Sequence, residues 1–118
     1  VIATGHLLWN ALEAVRQLER EGINCELLNI HTIKALDSEA ILHSVKKTGR
    51  IVSCEEHQRN GGLGDSIAQL LSMNFPAPQE YVAVNDSFGE SGKPMELMEK
   101  YGLGVKDVLE KIRKVLSR

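Results

Sequence analysis

RIVSCEEHQRNGGLGDSIA, residues 50–68, is the stretch of sequence that decides the fold. It begins with a short apolar run that favours a strand, Ile51 to Cys54, and continues into two glutamates and a histidine. A glycine-rich turn follows, and after Gly64 the apolar residues recur at helical spacing. The stretch therefore predicts a strand, a polar loop and a helix, which is the repeating unit of a parallel α/β sheet.

The first strand-helix unit lies at the start of the chain. Val1 to Thr4 is apolar and mostly β-branched, which predicts a strand, and the helix that follows is expected to end near Gly22. Trp9 lies beside the apolar face of this helix, so we expect its ring to pack against the domain rather than to stack on a ligand. The predicted apolar face consists of Leu8, Ala11, Leu12, Val15 and Leu18.

The pattern repeats along the rest of the chain. Cys25 to Ile30 predicts the second strand, and the next helix is capped by Asp37 or Ser38 and ends at Gly49. Successive strand-helix units require right-handed crossovers, so we expect a three-layer α/β/α sandwich with a mostly parallel, doubly wound sheet in the order 2-1-3-4. The remaining predicted elements are a helix after Gly64, a fourth strand over Tyr81 to Val84, a short helix from Pro94 to Gly102, and a last helix with Val108, Leu109, Ile112, Val115 and Leu116 on one face.

Length and composition exclude several classes of protein. The 118 residues fit one domain, 1–118, with 42% apolar and 25% charged residues and a net charge of -2. A nucleic-acid partner and a membrane span are therefore not expected. Cys25 and Cys54 lie in predicted strands, which favours free thiols in a reducing cytoplasm. The chain opens at Val1, without an initiating Met and inside a predicted strand, so we expect a domain excised from a larger protein.

The polar residues that end the third strand are candidates for chemistry. Glu55, Glu56 and His57 could supply a metal pair or a general base, because alternate residues of a strand point to the same side. His6 follows the first strand and would join them if the first and third strands are neighbours. Alternatively, these groups pair with one another and with the loop backbone, or they face another domain, and this reading is favoured.

The glycine-rich turn allows two interpretations. Unpaired N–H groups at a helix start can hold an anion, so Gly61, Gly62 and Gly64 could form a phosphate site, although the spacing fits neither a Walker A loop nor a dinucleotide fingerprint. A backbone turn is the favoured reading. Ser91 lies in a second glycine-rich connection and could also contact an anion. A small-anion-binding regulatory module that uses these glycines, His6 and Ser91 is therefore an alternative of another class.

Five short motifs, in this order, resemble the C-terminal domain of transketolase. They are Thr4-Gly5-His6, Thr32-Ile33-Lys34-x-Leu36-Asp37, Ile51-Val52 followed by Glu55-Glu56-His57, Gly61-Gly62-x-Gly64, and Ser91-Gly92-Lys93-Pro94 with Leu97 and Gly102. The similarity covers essentially the whole chain and is strongest to animal-type and split prokaryotic transketolases. Ala35 departs from the family, which often has Pro there.

The resemblance implies an α/β/α sandwich in which an antiparallel edge strand would precede Val1. It also implies a dimeric parent enzyme of the pentose phosphate pathway, which transfers a two-carbon ketol unit between sugar phosphates on thiamine diphosphate and magnesium. In that family the cofactor lies between the first two domains of opposing subunits, so this domain is expected to hold no cofactor, no metal and no catalytic residue. Gly64-Asp65-Ser66 is the nearest sequence to the family's diphosphate-binding Gly-Asp-Gly motif, and it lacks the last glycine.

The resemblance also implies which residues contact partners. Other domains or subunits of the parent enzyme are the expected partners, and the β subunit of a 2-oxo acid dehydrogenase or deoxyxylulose-phosphate synthase is the alternative parent. The candidate contacts to a neighbouring domain or an anion are His6, Glu55, Glu56, His57, Gly61, Gly62, Gly64 and Ser91.

Overall fold

The structure is a computed structural model that describes residues 1–30, 37–58, 62–84 and 102–118. Four strands and four helices are assigned in these ranges: β1 Ile2–Ala3, α1 Leu7–Arg20, β2 Leu28–Asn29, α2 Ser38–Thr48, β3 Ile51–Gln58, α3 Leu63–Asn74, β4 Gln79–Val84 and α4 Val105–Leu116. None of these helices is long and apolar enough to cross a membrane. The short helix expected after Pro94 lies outside the described residues.

The strands form one parallel sheet in the predicted order β2-β1-β3-β4. Ile2 of β1 pairs with Leu28 of β2 on one side and with Ser53 of β3 on the other. Ser53 in turn pairs with Tyr81 of β4. Because all four strands are parallel, their carboxyl ends lie at one edge of the sheet, which we call the carboxyl edge. The strand order changes direction between β1 and β3, which are neighbours.

Helices cover both faces of the sheet and give two separate cores. The core under α1 and α4 contains Ala3, Leu7, Ala11, Ala14, Leu18, Val52, Cys54, Val82, Leu103, Val108, Ile112 and Val115. The core under α2 and α3 contains Ile2, Ile30, Ile41, Val45, Ile51, Leu63, Ile67 and Leu71. Neighbouring strand residues therefore enter opposite cores, as the pleat of a strand requires.

The predicted helix ends are confirmed at two glycines. Gly22 and Gly49 adopt the left-handed conformation, with φ of +84° and +76°. After α1, the Ile23 N–H donates to the Leu18 carbonyl at 2.9 Å and the Gly22 N–H donates to the Glu19 carbonyl at 3.0 Å. This pair of bonds satisfies carbonyls that the end of a helix leaves free.

Several local predictions were wrong, among them the second strand, which is assigned over Leu28–Asn29 and not over Cys25 to Ile30. On α1, Ala11 and Leu18 are buried as predicted, but Leu7 and Ala14 complete the buried face, and Leu8, Leu12 and Val15 are only half-buried. The strand predicted to stop at Cys54 continues to Gln58, because the glutamates after Cys54 keep an extended backbone while their side chains bond to helix starts.

Candidate functional site

Glu55 is a completely buried carboxylate at the carboxyl edge, with 0% exposure. Its Oε1 accepts a hydrogen bond from the Leu63 N–H at 2.8 Å, and its Oε2 accepts one from the Gly64 N–H at 2.7 Å. These are the first two N–H groups of α3, whose N-cap residue, Gly62, has no side chain to satisfy them. Glu55 therefore replaces the missing cap and places a negative charge at the positive end of the helix.

Glu56 makes the corresponding contact on the other face of the sheet. Its Oε1 accepts a hydrogen bond from the N–H of His6, the N-cap residue of α1, at 2.7 Å. Gly5, the residue before His6, has φ of +61°, and a Cβ on Gly5 would lie 3.2 Å from Oε1 of Glu56. The turn between β1 and α1 is thus built around this carboxylate.

The pleat of β3 explains why two adjacent glutamates serve two helices. Val52 and Cys54 enter the core under α1, and Ile51 enters the core under α3. Continuing this alternation sends Glu56 toward α1 and Glu55 toward α3. The two carboxylates therefore point away from each other and do not form a pair that could share a proton or a metal ion.

Gly64 is required by close packing between α3 and the sheet. A Cβ at this position would lie 2.4 Å from Cε2 of Tyr81 and 2.9 Å from Oγ of Ser53. The Gln79 amide nitrogen, Nε2, also donates to the Gly64 carbonyl at 2.9 Å. Both polar groups of the Gly64 backbone are engaged by strand side chains, so its N–H is not available to an anion.

The structure brings together some of the candidate residues and not others. Glu56 accepts a hydrogen bond from the N–H of His6, which is an exposed residue, and Glu55 accepts one from the N–H of Gly64. Gly62 is buried at the start of α3, and the backbone of His57 continues β3. Gly61 and Ser91 lie outside the described residues. Within the described ranges, no group of three or more His, Cys, Asp and Glu side chains could hold a metal ion.

Trp9 is a surface residue that the sequence reasoning placed wrongly. We expected its ring to pack against the domain, yet it is 68% exposed on the first turns of α1. The error follows from the wrong phase of the helix, because Leu7 and Ala11 on the buried face place residue 9 on the far side. Tryptophan is enriched among the residues that carry most of the binding energy at protein interfaces.

The thiols lack the character of nucleophiles. Complete burial raises the pKa of the Cys54 thiol to about 12. Burial also raises the pKa of the half-buried Cys25 thiol. Both thiols are therefore protonated near neutral pH, and the reactive species of a cysteine is the thiolate.

Comparison with known proteins identifies the family. The family model described as "Transketolase, C-terminal domain" matches residues 1–108. This chain belongs to the transketolase C-terminal domain family.

Individual relatives agree with this membership. A 6-deoxy-6-sulfo-D-fructose transketolase subunit of Clostridium sp. strain MSTE9 is 42% identical over 118 residues, which is all of this chain and 37% of that protein. A solved split-gene transketolase, described as an inactive β4 tetramer, is 42% identical with a TM-score of 0.92, over 98% of this chain and 38% of that chain. The 1-deoxy-D-xylulose-5-phosphate synthase 2 of Geobacter sulfurreducens is 34% identical over 127 aligned positions, covering all of this chain and 19% of that protein.

The Gly64-Asp65-Ser66 sequence does not fit the diphosphate group of the cofactor that the family implies. Asp65 and Ser66 of the Gly64-Asp65-Ser66 sequence lie in the first turn of α3, where the Gly64 N–H is already donated to Glu55. Gly64 itself lies against the Tyr81 ring, so its lack of a side chain serves the contact between helix and sheet. We assign these residues no contact with a diphosphate or its magnesium ion.

Proposed function

We propose that this chain is the C-terminal domain of a longer transketolase, residues 1–118 being one domain with a structural and assembly role. In this proposal the parent enzyme transfers a two-carbon ketol unit between sugar phosphates, with thiamine diphosphate and magnesium bound by its other domains. The observation that carries the proposal is the match over the whole chain to a transketolase subunit, at 42% identity. The matching fold of a split-gene transketolase, with a TM-score of 0.92, agrees with it.

The chemistry of the carboxyl edge supports a structural role. Glu55 and Glu56 hydrogen-bond the starts of α3 and α1, and the raised pKa of Cys54 keeps its thiol protonated. A side chain that abstracts a proton needs a lone pair directed at the substrate, whereas both Glu55 oxygens accept backbone N–H groups.

We propose that the carboxyl edge faces other domains or subunits of the parent enzyme. His6 and Gly5 are exposed there, next to the exposed Trp9. His57, Gly61 and Ser91 remain candidate contacts on sequence grounds. The parent is proposed to be a cytoplasmic homodimer or a split enzyme with two kinds of subunit, and the two free cysteines favour a reducing compartment.

An assay of the longer parent protein tests the reaction. Purified parent, supplied with thiamine diphosphate and magnesium, should transfer a ketol unit from xylulose 5-phosphate to ribose 5-phosphate. A parent that fails in this transfer but converts pyruvate and glyceraldehyde 3-phosphate into 1-deoxy-D-xylulose 5-phosphate and CO2 would belong to the synthase branch. That branch is the second candidate because a synthase of this name is 34% identical over the whole chain. A 2-oxo acid dehydrogenase parent would instead oxidise a 2-oxo acid.

Calorimetric titration tests the separate role of the domain. The 118-residue chain should release no heat of binding with thiamine diphosphate and magnesium, and the longer parent should bind both. Saturable binding to the 118-residue chain would contradict the structural role.

A further inference from the structure

The outward face of α1 carries four large side chains in one line. Trp9, Glu13, Arg16 and Arg20 are spaced by four, three and four residues, which keeps them on one side of a helix. Trp9 is 68% exposed, and the side chains of Glu13 and Arg20 are 46% and 70% exposed. We call these four residues the α1 seam.

The seam lies away from the other helix on this side of the sheet. α4 lies along a different flank of α1, where its Arg113 pairs with Glu21 at 2.8 Å. On the same flank, the Asn10 amide donates to the carbonyl of Leu103, two residues before α4, at 2.9 Å. Within the seam, Arg20 approaches Glu13 only to 3.9 Å, and the Gln17 amide donates to the same Glu13 oxygen at 3.4 Å. Among the described residues, Arg16 has no ion-pair partner. The seam therefore presents an exposed ring and charges that are weakly engaged.

We propose that the α1 seam is the contact through which two copies of this chain associate about a two-fold axis. This inference deepens the proposed assembly role and rests on it, because it names the partner and the contact.

The charge order of the seam argues for a second copy. Two antiparallel helices related by a two-fold axis place each residue against its counterpart counted from the other end. Trp9 then faces Arg20 of the second copy, and Glu13 faces Arg16 of the second copy. Each contact occurs twice, an aromatic ring against a guanidinium and a carboxylate against a guanidinium.

The alternative alignment of the same two faces is unfavourable. With the helices parallel, Glu13 would face Glu13 of the second copy, Arg16 would face Arg16, and Arg20 would face Arg20. Like charges in direct opposition weaken association, so the seam selects the antiparallel arrangement. One helix face is smaller than a standard interface of about 1,600 Å², so we expect weak association, with Kd on the order of 10–100 µM.

The single tryptophan makes this association directly measurable. Trp9 is the only tryptophan in the chain, so its emission reports the seam alone. Sedimentation equilibrium of the 118-residue chain should show a monomer that becomes a dimer as concentration rises. The Trp9 emission should move to shorter wavelength over the same range, because the ring leaves water.

Charge reversals test the pairing itself. Arg16→Glu and Glu13→Arg should each weaken the dimer about tenfold or more, because each places like charges in opposition. Mixing the two variants should restore a mixed dimer to within about threefold of the original affinity, because opposite charges face each other again. Lys46→Glu, on the exposed surface of α2 across the sheet, carries the same charge change and should leave the affinity unchanged.

Three results would overturn the inference. The first is a chain that stays monomeric, with the Trp9 emission of a solvent-exposed ring, at about 1 mM, well above the expected Kd. The second is a dimer whose affinity is unchanged by Arg16→Glu. The third is a mixture of the two charge-reversal variants that forms no mixed dimer. None of these results changes the ketol-transfer assay, so the proposed reaction is tested separately.

Discussion

Adjacent residues of the same type can stand in very different energetic situations, as Glu55 and Glu56 do. Glu55 has no exposed surface, and both of its oxygens accept backbone N–H groups. Glu56 is half-buried and accepts the His6 N–H in an exposed setting. Because an unsatisfied polar group costs most where water cannot replace the lost partner, the same substitution should have unequal effects at the two positions.

Glu55→Gln should lower the free energy of unfolding by about 2–3 kcal/mol. The glutamine amide keeps one acceptor for two buried N–H groups and turns a donor toward the other, and it loses the charge at the start of α3. Urea unfolding followed by circular dichroism measures the change. Glu56→Gln is the matched control and should cost less than about 1 kcal/mol. Equal losses at the two positions would contradict the burial argument.

Alkaline pH should destabilise the protein through Cys54. Burial raises the thiol pKa to about 12 from 9.0, so the folded state holds this proton more tightly than the unfolded chain does. The resulting stabilisation is complete below pH 9.0 and is lost as the pH approaches 12, at up to about 1.4 kcal/mol per pH unit.

Urea unfolding at several values between about pH 8 and about pH 10.5 tests this dependence. Cys54→Ala should be less stable at the lowest pH because of the cavity it leaves, but its stability should fall less steeply as the pH rises. Cys25→Ala, at a half-buried thiol, should change the slope less. Parallel slopes for Cys54→Ala and the unchanged chain would show that Cys54 does not contribute.

The helix α3 packs so closely against the sheet that its second residue, Gly64, has no room for a side chain. Gly64 faces the Tyr81 ring and the Ser53 hydroxyl, while Gln79 bonds its carbonyl. The helix start is thus fixed from the N–H side by β3 and from the carbonyl side by β4.

Gly64→Ala should therefore lower the free energy of unfolding by about 3 kcal/mol, through the clash of the new methyl group with Tyr81. The loss should be clearly smaller in a Tyr81→Ala background, because the ring that creates the clash is gone. Gly22→Ala is the control for backbone strain alone, since Gly22 has φ of +84° with nothing within 4 Å of the added carbon. A Gly64→Ala loss that is unchanged in the Tyr81→Ala background would contradict the steric explanation.

The sequence predicted the positions of the helices and strands better than it predicted which side chains pack against one another. The helices and their glycine ends at Gly22 and Gly49 followed from periodicity and from the conformations that glycine alone adopts readily, and the strand order was the one expected of a doubly wound sheet. The phase of α1 was wrong because apolar residues surround much of that helix, and only tertiary contacts decide which of them are buried.

The sequence predicted that polar residues gather at the carboxyl edge, but it did not predict which atoms they contact there. Its glutamates bond to amides that are distant in sequence, such as the His6 N–H fifty positions from Glu56. No local pattern reports such a pairing. The alternation of β3 could have separated the two carboxylates, had the strand been extended beyond Cys54.

The whole domain consists of two cores that share one sheet. Ile112 lies in the core under α4, and Ile67 lies in the core under α3. Both are almost fully buried, at 2% and 0% exposure. Since every strand contributes its backbone to both sides, loss of either layer removes the surface on which the other layer rests. The domain should therefore unfold in a single cooperative transition.

Paired truncations on the two faces test this arrangement. Ile67→Val and Ile112→Val should each lower the free energy of unfolding by about 0.5–1.5 kcal/mol, because each removes one buried methylene. The double variant should lose the sum to within about 0.5 kcal/mol, because the sheet separates the two sites and they share no neighbouring side chains. Circular dichroism in the far and near ultraviolet should give coincident urea transitions for all three variants. Two separate transitions, or a large coupling energy between the substitutions, would contradict a cooperative domain with two independently packed layers.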